Sequence, residues 1–164
     1  MKQTLQVEHC EHVSGRSFDE VWSAFQAATG SVEEGFDKVA GQAKGSEEFA
    51  RIFKAREGSS GFMRFLTVDH GAWLANYGRG VKGVMVVLGN PLIAITMLNH
   101  DFGAGLNVPV RIYIYEGEDG LTRVAYDLPS NLMSGLGNAD VTDAARKLDA
   151  KLVALAEQVS GTKA

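Results

Sequence analysis

The run NVPVRIYIYEGEDGLTRVAYDLP, residues 107–129, constrains the fold more than any other part of the chain. Val110, Ile112 and Ile114 alternate with Arg111, Tyr113 and Tyr115, the period of a strand with an apolar face and a polar one. GEDG then supplies turn glycines and LTRVAYD returns, so the segment is predicted to be an antiparallel hairpin.

The rest of the chain offers strands to extend the hairpin and helices to cover it. GFMRFLTVD reads as a strand, HGAWLANYGRG as a turn or short irregular crossing, and VKGVMVVLG as a strand buried on both faces. NPLIAITMLNHD reads as a short helix, with Asn90 able to cap it and Pro91 suited to its first position. That helix is apolar nearly all round, so it belongs inside the fold or in a subunit contact. Near the start, QTLQVEHCEHVSG alternates: Leu5, Val7, His9, Glu11 and Val13 share one face, Gln6, Glu8, Cys10 and His12 the other. Ser17 and Glu20 form a capping box for a helix running to about residue 29. Gly30 and Gly35 then predict a break and a second segment carrying Val32, Phe36 and Val39. SEEFARIFKAR is a further helix with Phe49, Ile52 and Phe53 on one side, its acids early and its bases late. A long last helix follows from the stripe Val141, Ala145, Leu148, Leu152, Leu155 and Val159, with Gly161 past its end.

The fold expected is α+β in one domain over residues 1–164: an antiparallel sheet with helices on one face. Its order is strand, helices, four strands with an inserted helix, and a long C-terminal helix. An extra helical insertion occupies about residues 30–60.

Charge and composition remove several function classes. A net charge of −4 with 16 dispersed basic residues argues against nucleic acid or an anionic membrane as partner. The most apolar run, GVMVVLGNPLIAITML, is short for a span and interrupted by Gly-Asn-Pro. The start of the chain has no apolar core of signal-peptide length, and a single cysteine fits a reducing cytoplasm. GRGVKG matches the dinucleotide glycine spacing but precedes a strand where that fingerprint needs a helix.

The stretch from Val86 to Ser130 resembles the bacterial and archaeal family called domain of unknown function 302. It carries Gly89, Asn90 and Pro91, an apolar helix, then Pro109, Tyr115, Glu116, Asp119 and Gly120; VDHGAW (Val68 to Trp73) is similar to the family's Asp-His stretch. The likeness covers roughly residues 60 to 130. It implies a fold related to the TATA-binding-protein arrangement and a homodimer, and it brings no established reaction and no catalytic residue. The chain departs from the family at about residues 30 to 60, and at Val108, where leucine is usual.

Three groups of residues are candidate sites. Cys10 and His12 share a strand face and form half of a zinc site at most, which His70 or His100 would have to complete; a structural role is the alternative. His70 beside Asp69 is a candidate ligand-binding group, with His100 after the apolar helix explained equally by the helix dipole. Arg111, Tyr113 and Tyr115, with Trp73 and with Arg123 or Tyr126 across the hairpin, suit either an anion or, by their enrichment there, a subunit interface.

The expected function is therefore a dimeric binding protein holding a small apolar or anionic molecule between the sheet and the long helix. Trp22, Phe25, Phe62, Phe65, Trp73 and Leu152 are its expected lining. Haem or a divalent metal on His70, His100 or Cys10 with His12 is the second reading. An enzyme ranks last, because no paired constellation calls for chemistry.

Overall fold

A computed structural model describes residues 2–163. Six strands form one sheet in the order β1-β6-β5-β4-β3-β2. They are β1 (His9–Ser14), β2 (Gly30–Ser31), β3 (Met63–Asp69), β4 (Gly83–Gly89), β5 (Val110–Glu116) and β6 (Thr122–Asp127). Every pairing is antiparallel except the two-residue edge contact of β2 with β3, so the α+β sheet is mixed. The predicted hairpin is β5–β6, with Tyr113 opposite Ala125 and Tyr115 opposite Arg123.

Alternation along β5 puts Val110, Ile112 and Ile114 into the core. They meet the helices α1 (Phe18–Ala28) and α7 (Ala139–Ser160). All six residues of the predicted stripe on α7 are buried. Burying one such Leu or Val side chain is worth roughly 1.5–3 kcal/mol, so this stripe is the main clamp between helix and sheet. After the short helix α6 (Pro129–Leu132), Asn138 caps α7 through the amides of Asp140 and Val141, and Gly161 ends it at positive φ. The Ser17–Glu20 capping box opens α1 as expected.

The helical insertion is a small arm with its own core. After α1 the chain makes β2, then α2 (Phe36–Ala40) and α3 (Ser46–Lys54). Val32, Val39, Phe53 and Met63 are its buried centre, flanked by Phe36, Phe49 and Phe65. The break at residue 30 has a steric cause. A Cβ on Gly30 would lie 1.7 Å from the Arg56 carbonyl oxygen, so only glycine lets these segments cross.

Three expectations need correction. HGAWLANYGRG is not irregular throughout: His70–Ala75 form a helix, α4, because the Asp69 carboxylate caps it at Ala72. Residues 84, 86 and 88 of β4 are buried, but Met85 and Val87 are only half-buried, because the main helices cover one face of the sheet. The helices are also not all on that face, since α4 brings His70 against Tyr113 on the other, with Trp73 against His70. Among the described residues no helix is long and apolar enough to cross a membrane.

Candidate functional site

Between β4 and β5 the chain passes through α5 (Pro91–Leu98) and a short 3-10 turn (Phe102–Leu106). Asn90 holds this connection in place. Its Oδ1 accepts from the Leu92 amide, while its Nδ2 donates to Glu57 Oε2 at 2.7 Å and to the Gly61 carbonyl at 2.9 Å. The Gly-Asn-Pro sequence thus ends a strand, starts a helix and ties both to the loop after α3. A Cβ on Gly89 would lie 3.2 Å from Pro109, so the tight passage there also favours glycine.

Held this way, α5 stands off the end of the sheet and leaves an apolar cavity of about 390 Å³ beneath it. Ile93, Ala94, Ile95, Met97 and Leu98 line it from the helix, Val110 of β5 and the two residues before it from the sheet end, and Leu148 from α7. Phe36 and Phe49 of the inserted arm and Phe65 of β3 close another side. The one polar side chain in the lining, Asn90, has its amide oxygen and nitrogen already engaged. Apolar cavities of about 150 Å³ admit benzene, and ligand pockets start near 300 Å³, so this space is large enough for a small organic molecule. Of the six expected lining residues only Phe65 is present. Phe25, Phe62 and Leu152 are fully buried core, Trp22 stacks on Phe25, and Trp73 is 60% exposed. Sequence reading missed the cavity because its walls come from six separate segments. The all-round apolar character of α5 was the only local signal.

The open face of the sheet gathers the predicted aromatic and basic residues. The rings of Trp73, His70, Tyr113 and Tyr115 form one row, with successive centroids 4.9, 5.7 and 4.9 Å apart. Arg111 shares a shallow depression with Tyr113 and Tyr115. Asp69 and His70 do not form a hydrogen-bonded pair, since Asp69 is the cap of α4. Arg123 is committed elsewhere: its two terminal nitrogens reach Asp119 at 2.7 Å each, and its Nε donates to Glu11. The same Glu11 accepts from the Tyr115 hydroxyl at 2.5 Å. Burial and then this carboxylate push the Tyr115 phenol up to about 12. Tyr113 is raised as well, by burial and by Asp69. The Arg123 guanidinium holds the Asp119 carboxyl well below the usual carboxylate range.

Cys10 and His12 lie on the core side of β1, and His9 on the open side beside Asp127, as the alternation requires. His12 is 1% exposed, and both its ring nitrogens have partners. Nδ1 lies 3.3 Å from the Thr162 carbonyl, an acceptor only, so Nδ1 carries the proton. Nε2 then accepts from the Tyr126 hydroxyl at 3.1 Å. Cys10 faces the same hydroxyl from the paired position on β1, and burial pushes its thiol up. A tyrosine, not a third ligand, joins the two residues. His100 lies apart from them, half-exposed after α5, 3.7 Å from Asp140 at the start of α7. Among the described residues no three His, Cys, Asp or Glu side chains come together as a metal-binding group.

Fold and cavity together describe an α+β protein with an apolar cavity under α5, and the sequence comparison supplies its family. The family described as "Domain of unknown function DUF302" matches residues 38–159, and the chain belongs to it. A solved structure, the "uncharacterized conserved protein DUF302 from Bacillus stearothermophilus", shares the fold with a TM-score of 0.66 at 15% identity. That match covers 92% of this chain and 97% of the other. No curated protein matches the sequence.

Proposed function

We propose that this chain is a binding protein rather than an enzyme, and that the cavity under α5 holds a small, mainly apolar molecule. The observation that carries this reading is the cavity itself: about 390 Å³ of space walled by apolar side chains, with its single polar side chain already satisfied. Such a lining selects by shape and apolar area and offers no acid, base or nucleophile to a bound molecule. Native mass spectrometry of freshly purified protein tests it. A co-purified small molecule is expected, lost in Ala94→Trp, which fills the space with an indole. Wild-type protein that carries nothing and binds no apolar probe in titration calorimetry overturns the reading.

The same proposal includes a homodimer formed through the open sheet face. Its centre is apolar (Leu66, Val68, Met85, Val87 and Ala125), and Arg111, Tyr113 and Tyr115 are of the types enriched in interfaces. Light scattering should give a dimer that Val87→Arg converts to a folded monomer; a monomeric wild type refutes it. The order β1, α1, β3 to β6, α7 supports kinship with the TATA-binding-protein arrangement once the arm and the short helices are set aside. The lone free thiol of Cys10 fits a cytoplasmic setting.

A further inference from the structure

We infer that the molecule held under α5 is an amphipathic anion, its apolar body in the cavity and its anionic head on Lys147 and Lys151. This rests on the cavity reading above and adds the chemical class of the ligand. A groove of about 330 Å³ runs between α5 and α7 and shares two wall residues, Asn90 and Ile93, with the cavity. Where the cavity is apolar, the groove carries Lys54, Lys147 and Lys151 against one acid, Glu57. Glu57 is fully used: Lys54 forms an ion pair with it, and Asn90 Nδ2 donates to its other oxygen. Lys147 and Lys151 sit one turn apart on the same side of α7 and form no ion pair among the described residues. Two free ammonium groups beside an apolar cavity are a positive spot on a chain whose net charge is −4.

The polar inventory narrows the ligand further. Asn90 has both amide hydrogens engaged, to Glu57 and to the Gly61 carbonyl, and so offers the cavity no donor. A ligand whose polar end is an acceptor must therefore satisfy it outside, where the unpaired Lys147 and Lys151 ammonium groups of the adjacent groove supply donors. An anionic oxygen meets that requirement, and charge-assisted bonds to ammonium are about twice as strong as neutral ones. Ile93, on the partition between the two spaces, is where the body of the ligand would cross into the groove. A carboxylate and a phosphate monoester share this chemistry.

Titration calorimetry with sodium decanoate, monodecyl phosphate and 1-decanol tests the inference. Wild-type protein is expected to bind at least one of the two anions about tenfold more tightly than the alcohol, which is roughly 1.4 kcal/mol. The anion that binds better identifies the head group. The preference should shrink with added salt. The double variant Lys147→Gln, Lys151→Gln should lose it while binding decanol as before. Ala94→Trp should bind none of the three; if it fails to fold, Val108→Phe is the second filling variant. Equal affinity for anions and alcohol, or an unchanged preference in the lysine double variant, overturns the head-group assignment and leaves the cavity reading standing. Wild-type protein that binds none of the three, or filling variants that bind all of them unchanged, overturn the cavity reading and this inference with it.

Discussion

Replacing Asn90 by alanine tests the joint on which the cavity depends. The residue is 5% exposed and makes three hydrogen bonds: one accepted from the Leu92 amide and two donated, to Glu57 and to the Gly61 carbonyl. Loss of the helix cap is worth about 1 kcal/mol. Loss of a hydrogen bond to a charged partner is worth about 1.5–3 kcal/mol, and a carbonyl left buried without its donor adds to that. Because all three converge on one side chain they are not additive, and a net loss of about 3 kcal/mol is expected. For a chain of this length that corresponds to a melting temperature lower by roughly 6–12 °C. Urea unfolding monitored by tryptophan fluorescence and far-ultraviolet dichroism measures it, with an unchanged denaturant slope as the control for an intact native state. Asn90→Asp sharpens the experiment. It keeps the acceptor for the Leu92 amide but loses both donors and sets a second carboxylate where the amide nitrogen lay 2.7 Å from Glu57. At neutral pH it should be at least as destabilised as alanine, and its deficit should shrink as acid protonates the introduced carboxylate. A loss below about 1 kcal/mol in the alanine variant, or an aspartate variant as stable as wild type, would refute the reasoning.

Other outcomes follow from the same geometry. Tyr126→Phe removes the hydroxyl that donates to His12 Nε2 in a buried site and should destabilise by about 1–3 kcal/mol in chemical unfolding. Tyr115 has its phenol raised from 10.0 to about 12, so the unfolded chain releases this proton first as pH rises. Its contribution is fully present below pH 10 and is lost between about 10 and 12. Over that window wild type should lose stability relative to Tyr115→Phe, and parallel curves would refute the assignment. A Cβ on Gly83 would lie 2.5 Å from the Tyr113 hydroxyl, so Gly83→Ala should shift Tyr113 and disturb its ring contact with His70. The His70 ring-proton resonances report that displacement, and unmoved resonances would count against the aromatic row.

How much of this could be read in advance depended on how local each feature was. The hairpin, the capping box and the α7 stripe were legible because period two, a Ser-x-x-Glu spacing and a three-four repeat are one-dimensional records of a buried face. The helix at His70–Ala75 was less legible, because its nucleus is one side-chain cap in a glycine-containing stretch. The sequence offered Tyr113, Tyr115 and Trp73 together and His70 apart from them; that the four rings form one row depends on α4 folding back over β5, which no sequence period encodes.

The limits are clearest at the site that composition made most visible and at the cavity. In VEHCEHV, alternation separated His9 from Cys10 and His12. Which face was core, and that Tyr126 and the Thr162 carbonyl would satisfy His12, were decided by strand order and by the return of α7. The cavity shows the opposite case. Beyond the all-round apolar α5, ordinary apolar residues gave no sign of it, because a void is a property of how segments fail to fill space and not of any one segment. The sequence alone determined which residues pair, cap and face inward, since those choices depend on neighbours within a few positions. The tertiary structure alone decided where a space was left and which lysines border it, since both depend on residues distant in the chain arriving at one place.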